Sequence, residues 1–209
     1  MKAVIFDLDG VIVSTDELHY QAWKKMADQE GIYFDHQINH RLRGVSRMAS
    51  LEIILERATK TYTKDQKEIM ATSKNDDYVK LLEHLSEKDI LPYVVEVIKA
   101  LKIKGFKTAI GSSSKNARLI LKQIGIIDLF DEIADGHDVM HSKPAPDIFL
   151  SAAKKLDVRP EDCAVVEDAV AGIEAAKKAM MLAIAIEDAK TSDLADYKID
   201  DLRELLNIL

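Results

Sequence analysis

An α/β fold, a doubly wound parallel sheet with a small helical unit inserted after its first strand, is predicted by three observations. The runs 4–6, 163–166 and 182–186 are short and continuously apolar, as strands buried on both faces of a parallel sheet require. From Pro92 onward, strand-like runs alternate with segments whose apolar residues recur at helical spacing, the rhythm of a sheet covered by helices on both faces. Between the first run and about residue 79 the pattern is helical throughout.

The elements follow in order. Val4-Ile5-Phe6 is the first strand. Ser14 and Glu17 stand at capping-box spacing before a helix whose stripe is Leu18, Ala22 and Met26, with Trp23 beside them. Residues 48–58 carry Leu51, Ile54, Leu55 and Ala58 on one face, and 64–82 is a charged helix expected to face solvent. Pro92 suits the first turn of a helix that buries Val94, Ile98 and Leu101 and stops at Gly105. The strand 106–111 leads into Ser112-Ser113-Ser114-Lys115-Asn116. The helix that follows buries Ala117, Ile120, Leu121 and Ile124 and ends before Gly125. Hydroxyls and a helix amino terminus at the carboxyl end of a strand form an anion site.

A short strand at 133–134 precedes Ser142-Lys143-Pro144-Ala145-Pro146-Asp147 and a helix carrying Phe149, Ala152, Ala153 and Leu156. The strand 163–166 ends in Glu167-Asp168. A helix through Val170, Ile173 and Ala176, the strand 182–186 and a terminal helix at 200–209 complete the chain.

With 209 residues, 47% of them hydrophobic, the chain can bury one core and carry a sizeable insertion. No run approaches the roughly 18 apolar residues that span a bilayer, and no signal-peptide pattern precedes the first strand, so a cytoplasmic protein without membrane association is expected. Cys163 is the single cysteine, which excludes an internal disulfide, and its apolar neighbours make it a packing residue. A net charge of −7 argues against a nucleic-acid surface, because such binding depends on Lys and Arg neutralising phosphates. Any phosphate site must be local.

The chemistry is concentrated where strands end. Asp7 and Asp9, in Asp7-Leu8-Asp9-Gly10-Val11, share the solvent-facing carboxyl edge of the first strand, and Gly10 can take the torsions of a sharp exit. Two carboxylates so placed imply a metal, a raised pKa, or both. The same tetrapeptide pattern also occurs as a simple turn with side chains bonded to backbone. Ser112, Lys143 and the pair Glu167-Asp168 stand at further strand ends.

These four stretches, in this order, resemble the four motifs of the haloacid dehalogenase superfamily of phosphoryl-transfer enzymes. The resemblance implies a Rossmann-like core of residues 1–13 and 80–209, with residues 14–79 a helical cap joined by two hinges. It implies Asp7 as a nucleophile that becomes an aspartyl-phosphate, Asp9 as general acid and base, and Ser112 and Lys143 as phosphoryl-binding groups. Mg²⁺ would be held by the Asp7 side chain, the Asp9 carbonyl, Glu167 and Asp168.

Within the superfamily the chain looks like the β-phosphoglucomutases. The stretches that carry this are Leu42-Arg43-Gly44-Val45-Ser46-Arg47, Lys74-Asn75-Asp76, Ser112 to Asn116, and Lys143-Pro144-Ala145-Pro146-Asp147-Ile148-Phe149. By that resemblance Gly44, Val45, Arg47, Ser114, Lys115 and Asn116 contact a sugar phosphate together with Asp9 and Ser112. His19 and Lys74 belong to the cap hinge and cleft. The implied reaction converts β-glucose 1-phosphate and glucose 6-phosphate through glucose 1,6-bisphosphate, in a monomer that binds a small sugar phosphate and no nucleic acid.

A sugar-phosphate phosphatase of the same superfamily is the alternative. A phospho-accepting receiver domain would place its acidic pair on the first strand and lack the helical insertion, and a binding protein without turnover would not need every motif filled. Three departures from the mutase pattern stand out: Val13-Ser14 in place of a Thr-Asp pair, Met180 where a glycine ends a helix, and a segment after Ile186 without the usual glycine and proline. That segment is expected to form a changed loop away from the chemistry.

Overall fold

The protein, described over all 209 residues by a computed structural model, is organised around β1 (Ala3–Phe6), every residue of which is buried. After β1 come α1 (Asp16–Glu30), α2 (His36–His40), α3 (Arg47–Leu55) and α4 (Lys64–Leu82). The chain then alternates through α5 (Val94–Ile103), β2 (Lys107–Gly111), α6 (Ala117–Gln123), β3 (Glu132–Ala134), α7 (Asp147–Lys155), β4 (Cys163–Glu167), α8 (Val170–Lys178) and β5 (Leu182–Ala185). It closes with β6 (Tyr197–Lys198) and α9 (Leu205–Ile208).

All six strands are parallel, in the order β3-β2-β1-β4-β5-β6. The order reverses direction beside β1, which opens a crevice at the carboxyl ends of β1, β2 and β4, the place where such sheets bind ligands. In register, Phe6 lies between Ile110 and Val166, so the residues just beyond them meet in that crevice.

Alternation along the strands divides the core into two layers. Val4, Phe6, Ile110, Val166 and Ile184 pack on one face with Val97, Ile98 and Leu101 of α5 and Ile120 and Leu121 of α6. Ala3, Ile5, Ala109, Val165 and Ala183 pack on the other with Ile148, Phe149 and Ala152 of α7 and Ile173 and Ala176 of α8. Each large side chain so enclosed contributes about 1.5–3 kcal/mol. Cys163 lies in the second layer, fully buried, and burial pushes its thiol up to about 11, so it packs and does not react.

Helices α1 to α4 enclose a third apolar cluster of their own, with Trp23, Met26, Ile38, Leu51, Ile54, Met70 and Ala71. Their entry and exit run side by side: Val13 bridges Ile90, and the Leu91 amide donates to the Ile12 carbonyl at 2.9 Å. No helix is long and apolar enough to cross a membrane.

Several sequence expectations are corrected. The helix expected to face solvent, α4, buries Met70, Lys74, Tyr78 and Leu82, one residue per turn, against α1. The boundary expected at residue 79 falls inside α4, which runs on to Leu82. Helix α3 stops at Leu55, short of Ala58. Pro92 precedes the left-handed N-cap Tyr93 and lies outside α5. The terminal helix expected over 200–209 is a 3₁₀ turn at Leu202–Glu204 followed by the short α9, and β6 was not anticipated.

Met180, where a glycine would end the helix, takes φ +60° and is exposed. A side chain in the left-handed region costs about 1 kcal/mol that glycine does not. Met180→Gly is therefore expected to raise stability by about 0.5–1 kcal/mol in denaturant titration; a lower midpoint would show that no strain is held there.

Candidate active site

Asp7 continues β1 by one residue, its amide donating to the Val166 carbonyl at 2.9 Å, so its carboxylate stands at the crevice. The Lys143 ammonium comes from the loop before α7 and donates to Asp7 Oδ1 at 2.6 Å and to Glu167 Oε2 and Oε1 at 3.3 and 3.4 Å. Its charge lies 4.9 Å above the Phe149 ring, which orients it. Far from facing solvent, Asp7 and Lys143 are only 5% and 2% exposed.

Asp7, Glu167 and Asp168 bring carboxylate oxygens within 4.8 Å of one another. Three buried acids face one ammonium. Burial, then repulsion from Asp7, pushes Glu167 well above the usual carboxyl range and Asp168 up to about 8. Burial alone would lower Lys143, but attraction by Asp7 and Glu167 prevails and raises it.

An all-oxygen donor set with unbalanced negative charge fits a hard divalent cation such as Mg²⁺. Gly10 permits the close approach: at φ +79° its Cβ would stand 2.1 Å from Asp168 Oδ2.

A pH-dependent metal effect follows. Without a cation, folded Asp168 keeps its proton up to about 8, whereas an unfolded aspartate loses it near 3.9. The folded chain binds more protons across that window, so this group's contribution to stability falls as pH rises. A cation competes with those protons, so millimolar Mg²⁺ is expected to raise the melting temperature more at pH 8 than at pH 5.5. An equal or larger shift at the lower pH would argue against these carboxylates as ligands.

Asp9 turns away from Asp7. Its Oδ1 accepts from the Thr15 hydroxyl, and Thr15 Oγ1 accepts in turn from the Tyr78 hydroxyl at 3.0 Å. The helix start anticipated at Ser14 is thus corrected: Thr15 is the N-cap residue of α1 and no side chain caps it, because the hydroxyl is engaged by Asp9. Burial pushes the Asp9 carboxyl up to about 6, against the pull of the Thr15 bond and with help from the Asp7 charge. Such a group can give and take a proton near neutral pH. Thr15 and Tyr78 escaped the sequence reading: one sits beside the more obvious Ser14, the other on a helix taken as exposed.

At the end of β2, Ser112 is buried and its Oγ accepts from the Ser114 amide at 3.1 Å; Ser114 Oγ accepts from the Asn116 amide at 3.2 Å. Lys115 is exposed. Arg47 opens α3, whose N-cap Ser46 accepts from the Ala49 amide. The guanidinium donates to Asn75 Oδ1 at 2.6 Å, and Asn116 Nδ2 donates to the same oxygen at 3.0 Å. Asn75 thus joins α4, α3 and the start of α6, a role the sequence reading did not assign.

Lys74 lies 2.9 Å from His19 Nδ1, between the Trp23 and Tyr78 rings. Burial, then the Arg47 charge, pulls its ammonium down to about 7; burial and Lys74 pull His19 down as well. Neither Arg47 nor Lys74 is bonded to a carboxylate: the Arg47 guanidinium is held by Asn75, and Lys74, beside His19, is only partly charged near neutral pH. Gly44, at φ +72°, meets Ala169 across the cleft, with its Cβ position 3.2 Å from the Ala169 Cβ. Val45 packs against the apolar cluster of α1 to α4.

The segment after Ile186 was expected to lie away from the chemistry, and this too is corrected. The Ala189 amide donates to the Asp168 carbonyl at 2.8 Å, and Asp188 bonds residues of the helical unit. The signal was hidden because its partners lie some 145 residues earlier in the chain.

Comparison with known proteins agrees with this geometry. The family model described as haloacid dehalogenase-like hydrolase matches residues 1–179. The chain is 45% identical over 207 residues to the β-phosphoglucomutase of Bacillus subtilis, covering 98% of this chain and 92% of that protein. It is 30% identical to a phosphorylated carbohydrates phosphatase of Thermotoga maritima, covering 86% of this chain and 82% of the relative. The crystal structure of β-phosphoglucomutase from Clostridium difficile superposes with a TM-score of 0.92 at 40% identity, covering 98% of this chain and 93% of the other. With Asp7, Lys143, Glu167 and Asp168 brought together and a family model matched over residues 1–179, the chain belongs to the haloacid dehalogenase-like hydrolases.

Proposed function

We propose that the protein interconverts β-glucose 1-phosphate and glucose 6-phosphate through glucose 1,6-bisphosphate, with Asp7 carrying the phosphoryl group between them. The observation that carries this reading is the second cationic position. A hydrolase needs one phosphate clamp, at Asp7 and Lys143. A mutase must also grip the other phosphate of a bisphosphorylated sugar, and half-buried Arg47, without a carboxylate partner and held by Asn75 beside Asn116, is suited to that task.

Asp7 attacks phosphorus while Ser112, Lys143 and nearby backbone amides not already engaged within the loop hold the phosphoryl oxygens. Mg²⁺ bound by Asp7, the Asp9 carbonyl, Glu167 and Asp168 would supply positive charge that lowers repulsion between Asp7 and those oxygens. Asp9, released from Thr15, protonates the departing sugar oxygen and later takes the proton of the sugar hydroxyl that receives the phosphoryl group. Lys74 and His19 stand where a sugar phosphate would enter, and an anion there would raise the charge on Lys74.

Residues 14–82 act as a cap, with its connections at Val13 and at 83–86. Gly44, Val45, Ser114 and Lys115 complete the sugar-phosphate cleft. The substrate class is small sugar phosphates, and the reading is of a cytoplasmic monomer.

Arg47→Ala should weaken sugar-phosphate use by roughly 10- to 10²-fold, the worth of a charge-assisted bond of about 1.5–3 kcal/mol. Hydrolysis of acetyl phosphate, which needs no distal clamp, should persist. Parallel loss of both activities, or loss of neither, would remove Arg47 from that role. The function itself is tested by supplying β-glucose 1-phosphate, Mg²⁺ and a trace of bisphosphate, then measuring glucose 6-phosphate and free phosphate together. Isomer with little phosphate supports the mutase; phosphate from many sugar phosphates with little isomer makes the protein a phosphatase.

A further inference from the structure

We infer that Asp188 fastens the helical unit over the transfer site, and that this fastening decides how often phosphorylated Asp7 yields its phosphoryl group to a sugar rather than to water. The inference rests on the mutase reading and names the residues that enforce it.

Asp188 lies in the 3₁₀ turn Glu187–Thr191, directly after β5. Its Oδ2 accepts from Arg43 Nη1 at 2.6 Å and stands 2.7 Å from His40 Nε2, both residues of the helical unit. The other edge of the same guanidinium donates from Nε and Nη2 to Asp16 Oδ2, at 3.2 and 2.6 Å. Asp16 also accepts from Asn39 Nδ2 at 3.2 Å. One arginine therefore ties the start of α1 and the turn between α2 and α3 to the sheet domain.

The tie borders the chemistry and reaches it only through the Arg43 charge, which pulls against the rise of the Asp168 carboxyl. Gly44 follows Arg43 and rests on Ala169, and the Ala189 amide holds the Asp168 carbonyl. Of the other polar contacts between the two parts, Asn75 with Asn116 is neutral and uses a side chain placed to meet substrate, and Thr15 with Asp9 engages the proton-transfer carboxyl itself. Arg43, His40 and Asp188 are free of that duty, so their contacts can persist while substrate turns over.

Closure matters because the two acceptors differ. In both fates the bond between phosphorus and the Asp7 carboxylate oxygen breaks, and Asp9 takes a proton from the acceptor. The new bond forms to a sugar hydroxyl oxygen in one fate and to a water oxygen in the other. A sugar acceptor needs the cap's binding groups over it; water needs only access. With the tie made, as it is here, Asp7 is 5% exposed. Any loosening of the tie favours water.

The test uses Asp188→Ala and, as an independent break from the other side, Arg43→Gln. Each is supplied with β-glucose 1-phosphate, Mg²⁺ and trace bisphosphate, and the ratio of free phosphate to glucose 6-phosphate is measured. Partly exposed ion pairs shift an open–closed equilibrium modestly, so the ratio should rise roughly 3- to 10-fold in both variants. Asp188→Glu, which keeps the charge, should return it to within about twofold of wild type. Salt at about 0.5 M should raise the ratio of the wild type and leave that of Asp188→Ala unchanged. A wild-type ratio in folded Asp188→Ala, or a Glu variant indistinguishable from Ala, overturns the inference while the mutase reading stands. Wild-type protein that releases phosphate and forms no isomer overturns both.

Discussion

Asp7→Asn is expected to lower isomerisation by at least about 10⁴-fold, the scale of losing a covalent nucleophile. The fold should survive. An asparagine oxygen can still accept from Lys143 in place of Oδ1, and the change removes the Asp7 charge that, after burial, raises Glu167 and Asp168, so that Glu167 can ionise more readily beside Lys143. The melting temperature without Mg²⁺ should therefore be unchanged or higher, and its rise on adding Mg²⁺ smaller than in the wild type. Turnover and thermal melts on one preparation check both halves. A variant with ordinary turnover would exclude Asp7 as the phosphoryl carrier.

Asp9→Asn should lose about 10²–10⁴-fold in turnover, the usual worth of positioned proton transfer. It differs from the first variant in what it keeps. The Asp9 backbone carbonyl remains, and an amide can still bond the Thr15 hydroxyl, so Mg²⁺ should stabilise this protein about as well as the wild type. Loss of turnover with the metal response retained assigns Asp9 to proton transfer. Loss of both would place it among the metal's carboxylate ligands, and turnover within a few-fold of wild type would free it from the chemistry.

Much of the core was legible because its physics is local. Short continuous apolar runs such as 3–6 and 163–166 suit strands enclosed on both faces, and the acids that directly follow them then stand at the crevice. Asp7, Lys143, Glu167 and Asp168 met there as expected.

What stayed hidden depends on long-range contact. The stripe Met70, Lys74, Tyr78, Leu82 reads as polar because Lys74 and Tyr78 are buried with hydrogen bonds to His19 and Thr15 and not for their hydropathy. Strand β6 consists of two exposed residues, Tyr197 and Lys198, held by backbone pairing to β5, and carries no side-chain pattern. Asp188 is an ordinary surface acid in sequence and gains its meaning from Arg43 and His40.

A phosphoryl group is expected to reside on Asp7 and to pass from there to a sugar. The most direct measurement supplies glucose 1,6-bisphosphate with a labelled phosphate, quenches the protein, and locates the label by peptide mapping before and after a chase with β-glucose 1-phosphate. The expected result is a hydroxylamine-sensitive label on the peptide that contains Asp7, which the chase carries into sugar phosphate and recovers as labelled glucose 6-phosphate. Label absent from that peptide, or released by the chase wholly as inorganic phosphate, would contradict it.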